Sequence, residues 1–476
     1  MTTSTAPQIS VGPTLTEEQA RKIYAQGEEA VVFALLKLAQ ELAAQAAKAG
    51  GTSHDTPATP SGMKPPFAKP AVKSRGKKPG RKIGHLGSRR ATPEHIDCHE
   101  EHRAEACPDC GGPLRRCTET RTRYVEDIPV VKPVVTEHTI HRDWCPHCQK
   151  KVEPPITTAL PRAHLGNRVL ILTAWLHYGL GNTLSQIVAV FQFHLLLRIT
   201  PGGLLHMWYR LTEILHPWYE QLQREALKSG VLHADESGWR VNGRTHWLWC
   251  FANSHLSYFM IDRSRGSPAL LKFFTEEFAG TLVSDFWGAY NAVVCALRQT
   301  CLVHLLRELE HTEKYKTPGP YWPVFAKLLR RLIADAIRLW RRQDELSSES
   351  YASRRARLLD RLDALINTPW EAKDARRLIK RLKRHRDDLF TFLDQPGVPF
   401  DNNLAERAIR PAVIIRKNSY GNRSCQGADV QAILMSLFFT LKKRGHNPLQ
   451  TIQDALATYL KTGQLPPLPA NQTPVR

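Results

Sequence analysis

The sequence predicts a multidomain α+β protein: a mixed sheet flanked by helices, preceded by a small cysteine-bearing module and interrupted by a long helical stretch. Three observations carry this. The chain has 476 residues, too many for one compact core. Two C-x-x-C pairs lie close together upstream of the sheet. Downstream, three strand-like runs rich in β-branched and aromatic residues precede a helix, a fourth run, and a stretch of Arg, Leu and Ala with helical periodicity.

The charge narrows the partners. Lys and Arg number 66 against 45 Asp and Glu, a net charge of +21, which points to a polyanion. Nucleic acid comes first and an anionic membrane surface second. No uninterrupted apolar run is long enough to span a bilayer, so no membrane segment is expected. Residues 1–8 lack a basic segment leading into an apolar run, so no secretory signal is expected. Ten cysteines, four of them in C-x-x-C pairs, then favour zinc over disulfides and a cytoplasmic location.

Residues 1–49 are expected to hold one helix. Thr16 and Gln19 have capping-box spacing, and Val31, Leu35, Leu38 and Leu42 form an apolar stripe. The stripe suits a helix docked on the body better than a coiled-coil dimer, which needs about three heptads or more. Residues 50–95 read as a linker rich in Gly, Pro, Ser and Thr. It carries a basic run from Lys64 to Arg90 without an acid between them, including Lys77, Lys78, Arg81 and Lys82. Such a run is either a solvated tail or an arm that neutralises phosphates; its single sign favours DNA.

Residues 96–161 form the cysteine module and 162–229 a helical segment with turn signals at 179–181 and 201–203. Within it, 182–191 and 203–210 resemble a helix-turn-helix, whose second helix enters a major groove; a plain packing pair is the equal alternative. Residues 230–320 carry the strands, expected at 231–234, 245–251, 257–261 and 281–284. A turn at Asn253 joins the second to the third, and a helix starts near Pro268. Residues 321–395 are helical, 396–427 contain one acidic motif, and 428–476 end in a helical tail.

Cys107 with Cys110, and Cys145 with Cys148, each make a turn in which two thiolates face one metal. Two such knuckles complete a tetrahedral Zn2+ site of four thiolates, closed and therefore structural. Pro108, Pro146 and Gly111 suit the turns; the second knuckle has Gln149 where the first has Gly111. Residues 120–144 alternate like a hairpin, completing a zinc-ribbon pattern. His147 is a less favoured ligand, and Cys98 and Cys117 are expected to be free.

Three acids stand in motifs: Asp235 in HADESGWR (233–240), Asp285 in SDFWGAY (284–290) and Glu406 in DNNLAERAIRP (401–411). If the first and fourth strands are parallel neighbours, Asp235 and Asp285 leave the sheet at one edge. On a helix, Asn402, Asn403 and Glu406 share a face. Clustered carboxylates repel unless cations lie among them. Two Mg2+ ions, with Mn2+ as substitute, match hard oxygen ligands; one activates an attacking oxygen and the other stabilises a leaving one. Glu236 competes with Asp235, but strand alternation points it to the other face. Glu406 alone has the plainer reading of an ion pair with Arg410. Arg407, Arg410, Arg416 and Lys417 flank the third acid and either hold phosphates or form a solvated face.

Together with GRKIGH (80–85) and the paired cysteines, these motifs resemble the transposases of the insertion sequence 66 family, over most of the chain from about Arg75 onward. The resemblance implies an RNase H-like catalytic core with a DDE triad, carried onto Asp235, Asp285 and Glu406. It implies a helical insertion between the second and third acids, matching 321–395. Its partners would be double-stranded DNA, as element ends and target, and small accessory proteins of the same element. Synapsis of two ends adds a homo-oligomer. Cys301 and His304 resemble a C-x-x-H element found after the second acid in such enzymes; a packed core pair and an active-site helper both stay open. Against an active transposase stand two other readings. One is a different nuclease on the same fold, which zinc upstream of the strands disfavours. The other is a catalytically silent DNA-binding regulator, which the intact triad disfavours.

Overall fold

The computed structural model describes residues 91–115, 117–316 and 319–472, with Glu18, Arg21, Tyr24, Ala25, Gly27 and Val31 before them. Thr16, Gln19, Leu35, Leu38 and Leu42 of the expected first helix, and Lys77, Lys78, Arg81 and Lys82 of the basic arm, lie outside the described residues. Among the described residues no helix is long and apolar enough to cross a membrane. The chain divides into two units. One comprises Met1–Lys69, Thr139–Ile187 and Thr200–Arg476; the other comprises Pro70–His138 and Val188–Ile199.

In the smaller unit the first knuckle is a tight turn. Gly111 N–H donates to the Cys107 carbonyl at 2.8 Å, and Cys107 N–H to the Gly112 carbonyl at 2.9 Å. The hairpin expected over 120–144 does not form. Strand is confined to β1, Asp143–Cys145, which pairs antiparallel in the larger unit with β2, Lys150–Val152, around the second knuckle. Alternation makes a strand only where one face can be buried. Val125, Ile128, Val130, Val134 and Val135 are all exposed, and a lone two-stranded ribbon is marginal in water. Gly111 has φ +72°, and Gln149, at the matching place, has φ +50°. Both knuckles therefore turn through the left-handed region, at a steric cost for Gln149 that glycine avoids.

Three helices follow: α1, Asn167–Ala174, continued by a wide turn over Trp175–Gly179; α2, Leu184–Phe193; and α3, Pro201–Leu227. The residues expected as a turn at 201–203 instead open α3. The Thr200 side chain caps Gly203 N–H, and Pro201 takes the first helical position, where a missing N–H costs nothing. The expected recognition helix, 203–210, is thus the first part of a 27-residue helix. Its Leu204, Met207, Trp208 and Leu211 are buried, and Arg210 donates to the Pro161 carbonyl at 2.6 Å. That face packs on the body, while Gly203 and His206 are exposed.

The sheet has five strands: β3, Val231–Val241; β4, Arg244–Ala252; β5, Ser257–Asp262; β6, Phe278–Ser284; and β7, Cys295–Thr300, with α4, Ser267–Phe273, between β5 and β6. Their spatial order is β5-β4-β3-β6-β7. The first three are antiparallel; β6 runs parallel to β3 and β7 parallel to β6. At the β4–β5 turn the Asn253 carboxamide accepts from His255 and Leu256 N–H. Strand β7 was not expected, because its Arg298, Gln299 and Thr300 hide the apolar pattern.

The remaining helices are α5, Leu302–Tyr315; α6, Trp322–Arg341; α7, Ser348–Asn367; α8, Lys373–Arg384; α9, Asn403–Ser419; α10, Cys425–Lys443; and α11, Pro448–Thr462. Helices α6, α7 and α8 share a leucine-rich core that includes Leu329, Ile333, Leu362 and Leu378. The buried carboxylate of Glu308 on α5 is paired with Arg377 and Arg381 of α8. Both sheet edges are covered, which removes two templates for stray pairing. On β5, Ser257 and Phe259 N–H donate to Thr440 and Ser436 hydroxyls of α10. On β7, the Gln299 carboxamide donates to the Leu389 carbonyl and accepts from Phe392 N–H.

Candidate active site

The parallel pairing of β3 with β6 sets two of the acids level. His233 is in register with Val283, and each acid follows two residues later, Asp235 on β3 and Asp285 just past the end of β6. The sequence places Asp235 at the end of its strand, and the structure corrects this. Strand β3 continues to Val241 alongside β4, and Asp235 lies where β6 has already left it. Its Oδ1 accepts from Glu236 N–H at 2.9 Å; the Asp285 Oδ1 accepts from Trp287 N–H at 2.8 Å.

The third acid stands in the first turn of α9, whose capping position is Asn402. Asn402 is buried, and its carboxamide reaches β3. Nδ2 donates to the Ala234 carbonyl at 2.8 Å, so Oδ1 accepts from His233 Nδ1, 3.0 Å away. Its backbone N–H donates to Cys301 Sγ at 3.2 Å. One residue thus fastens the Glu406 helix to the strand of Asp235 and to the start of α5.

Cys301, His304 and Arg307 follow one another at i, i+3 spacing along the face of α5 towards Glu406. Arg307 grips the Glu406 carboxylate with both terminal nitrogens, at 3.0 and 3.3 Å. His304 Nε2 lies 4.0 Å from the same carboxylate, and His304 Nδ1 is buried without a hydrogen-bond partner. Burial, then the Arg307 charge, pushes the His304 imidazole down to about 4, so it is neutral at physiological pH. Cys301, His304 and Glu406 bring potential ligand atoms within 4.8 Å of one another. Asp235, Asp285 and Glu406 do not form so tight a group among the described residues.

The acids nevertheless share one field. Burial, then the charges of Glu236, Asp285 and Glu406, hold the Asp235 carboxyl well above the usual carboxylate range. Burial and the Glu236 charge push Asp285 up to about 7. Glu236 points to the other face, as strand alternation requires. There it receives Arg265 Nε and Nη2 at 3.1 and 3.0 Å and the Tyr290 hydroxyl at 2.8 Å. Arg265 is held between the Trp247 and Trp287 rings, 4.4 and 4.0 Å from their centroids. Glu236 is therefore spent on joining β3 to the loop after Asp285. Donor chemistry at Asp235 and Asp285 fits a hard divalent cation: oxygen ligands, buried, in mutual repulsion.

Residues 162–430 match the family described as Transposase IS66 family, more than half of the chain. The chain belongs to this transposase family. Residues 104–149, which contain both knuckles, match the zinc-finger binding domain of transposase IS66. Three uncharacterized proteins of Sinorhizobium fredii are similar. The one called y4jD is 26% identical over 76% of this chain and 77% of its own length; y4hP is 22% identical over 74% and 70%. The match to y4qI is 25% identical, and spans 44% of this chain and 43% of that protein.

Family membership leaves the flanking cations to be judged by position. Arg407, Arg410 and Lys417 are exposed on α9. Arg416 turns inward instead, donating to the Ser237 hydroxyl and the Gly238 carbonyl of β3. Glu406 pairs with Arg307 rather than with Arg410. Sequence reasoning singled out Asn402 only as a face-mate of Glu406 and missed Arg307, although three-residue spacing from His304 marked it.

Proposed function

We propose that this transposase binds the ends of its mobile element and cleaves and joins DNA strands through Asp235, Asp285 and Glu406. The observation that carries the reading is the parallel β3–β6 register, which sets Asp235 and Asp285 level, with the Glu406 helix fastened to the same strand. The strand order, three antiparallel strands followed by two parallel ones, supports an RNase H-like core, with α6 to α8 as the insertion between the second and third acids. The three acids would hold two Mg2+ or Mn2+ ions, which when bound supply activation of the attacking oxygen and charge stabilisation at the leaving one. The chain's own groups orient this site: Asn402 sets the distance between α9 and β3, and Arg307 holds Glu406. Exposed Arg407, Arg410 and Lys417, with the arm bearing Lys77, Lys78, Arg81 and Lys82, would contact phosphates without reading bases. Cys107, Cys110, Cys145 and Cys148 would hold a structural Zn2+. Two bound ends would call for a homo-oligomer, with accessory proteins of the element as further partners.

The test is strand cleavage and transfer by purified protein on labelled duplex spanning an element end, with Mg2+ or Mn2+. Metal-dependent cutting that disappears in Asp285→Asn is the expected result. Duplex binding without cutting, in both proteins and with accessory proteins supplied, would favour a silent regulator. Cutting that survives in Asp285→Asn would remove the second acid from the site.

A further inference from the structure

Between α6 and α7, on the side of the helical block, lies a groove of about 470 Å³ lined by Arg338, Arg342, Arg354, Arg357 and Arg361. Leu339, Leu346 and Leu358 line it as well and belong to, or pack on, the core of the block. Arginine stems over leucines leave the guanidinium heads at the rim, since the apolar stem gains from burial and the head from water.

Five guanidinium groups around one concavity repel each other, and the groove has a single lining carboxylate, Asp335. Asp335 already serves two of them: it is paired with Arg338 and accepts from Arg361 at 2.9 Å. Arg342 is paired along the chain with exposed Glu345. Arg354 and Arg357 are exposed, and the groove supplies no acid for either. Arg354, Arg357 and Arg361 follow one face of α7 at i, i+3 and i+7. That run rises about 10 Å, enough for its guanidinium groups to reach neighbouring phosphates of one strand. The groove thus pairs an excess of positive charge with the length and fork geometry that phosphodiester oxygens accept.

We infer that this arginine groove is a second DNA-backbone site, which grips phosphates of a duplex independently of sequence. The inference rests on the transposase reading above and extends it to a surface outside the acidic site. It takes the phosphodiester backbone of duplex DNA, and no base contact is involved.

The test is binding of a labelled duplex of random sequence to the full chain across a salt series, comparing wild type with Arg354→Gln/Arg357→Gln and Arg354→Lys/Arg357→Lys. Thermal melting of each variant is read alongside, and both positions are exposed, so folding is expected to be retained. The Gln pair is expected to flatten the slope of log K against log salt by about 2, and to weaken binding roughly 10- to 30-fold near 0.15 M salt. The Lys pair is expected to keep most of the slope. A Gln pair with wild-type slope and affinity would overturn the groove as a DNA site while leaving the transposase reading intact. Equal loss in the Lys pair would overturn it too, because the loss would then not follow charge. A wild-type chain that binds no duplex at all would fail the transposase reading first.

Discussion

The Asn402 carboxamide spans from the helix of the third acid to the strand of the first, with its Oδ1 3.0 Å from His233 Nδ1 and its Nδ2 on the Ala234 carbonyl. Both partners are buried, so neither finds water if the amide is lost. Asn402→Ala should therefore cost about 1–3 kcal/mol of stability, the penalty of unpaired buried polar groups. It should also lower strand cleavage more than DNA binding, because the Glu406 helix loses its tie to β3. Urea denaturation and a duplex-binding assay check the two parts. Unchanged stability would remove the bridge as a structural element.

Arg307 is predicted to compete with the metal for Glu406. The guanidinium occupies both carboxylate oxygens and adds positive charge beside Asp235. In Arg307→Gln the acids lose that competitor, and Mn2+ affinity, read by electron paramagnetic resonance titration, should rise by roughly 5-fold. The magnitude reflects an ion pair that is partly exposed and so worth about 1 kcal/mol or less. Cleavage should fall, since Glu406 is no longer held. Weaker Mn2+ binding in the variant would instead make Arg307 a support for the metal-bound geometry.

These two residues show where sequence reading succeeded and where it stopped. The strand runs and the turn at Asn253 were legible because each rests on local pattern: alternation and turn chemistry. The parallel pairing that aligns Asp235 with Asp285 was legible only as a condition, since register between distant strands leaves no local mark. Strand β7 escaped because its polar side chains serve the sheet edge, where Gln299 is saturated by 389–392 rather than by solvent. The hairpin at 120–144 had the right alternation and no face to bury, and alternation without burial does not make a strand. Arg416 read as a DNA contact because charge is visible in sequence and orientation is not.

The buried acids should make metal-free stability fall as pH rises. Burial keeps Asp235 protonated well above the usual carboxylate range, and holds Asp285 up to about 7. Below the ordinary carboxylate value, folded and unfolded chains both carry these protons, and no stability depends on pH. As pH climbs from there the unfolded chain releases both protons first, and the folded chain gives up the Asp285 proton only near about 7, at a cost. Stability declines across the window that Asp285 sets, and Asp235, also held above the ordinary range, adds a decline of the same sign. Mg2+ should offset this cost, so the rise in Tm on adding Mg2+ should be larger near pH 8 than near pH 5, and smaller in Asp285→Asn. An equal Mg2+ effect at both pH values would sink the argument.

Gly421 is predicted to be intolerant of any side chain. Its φ is +113°, and a Cβ there would run into the Arg240 carbonyl. The approach is close because Asn422 N–H donates to that same carbonyl, Asn242 N–H donates to Asn422 O, and the Trp239 indole donates to the Asn422 carboxamide at 2.7 Å. Together they stitch the segment after α9 to the far end of β3. Gly421→Ala should cost on the order of 2–3 kcal/mol from backbone strain and displacement. Gly243→Ala is the control: φ is +71° but nothing lies within 4 Å, so strain alone should cost about 1 kcal/mol. Equal melting shifts in the two variants would mean the β3 contact adds nothing.

Zinc removal should act on the knuckles and not through the acids. In the first knuckle, hydrogen bonds from the Asp109 and Cys110 backbone and from the Cys110 thiol lower the Cys107 thiol below its ordinary value. In the second, the Cys148 N–H and thiol do the same for Cys145. Thiols predisposed to ionise in this way release their protons to a metal at lower pH than free cysteines do. Cobalt substitution should therefore give sulfur-to-metal charge-transfer absorption, which Cys107→Ser and Cys145→Ser each diminish. Zinc content should fall in the same variants. Cys98→Ser and Cys117→Ser should leave both readouts unchanged. A protein that retains full zinc after Cys107→Ser would exclude the four-thiolate site, because a closed tetrahedral site cannot lose one of its ligands and keep its affinity.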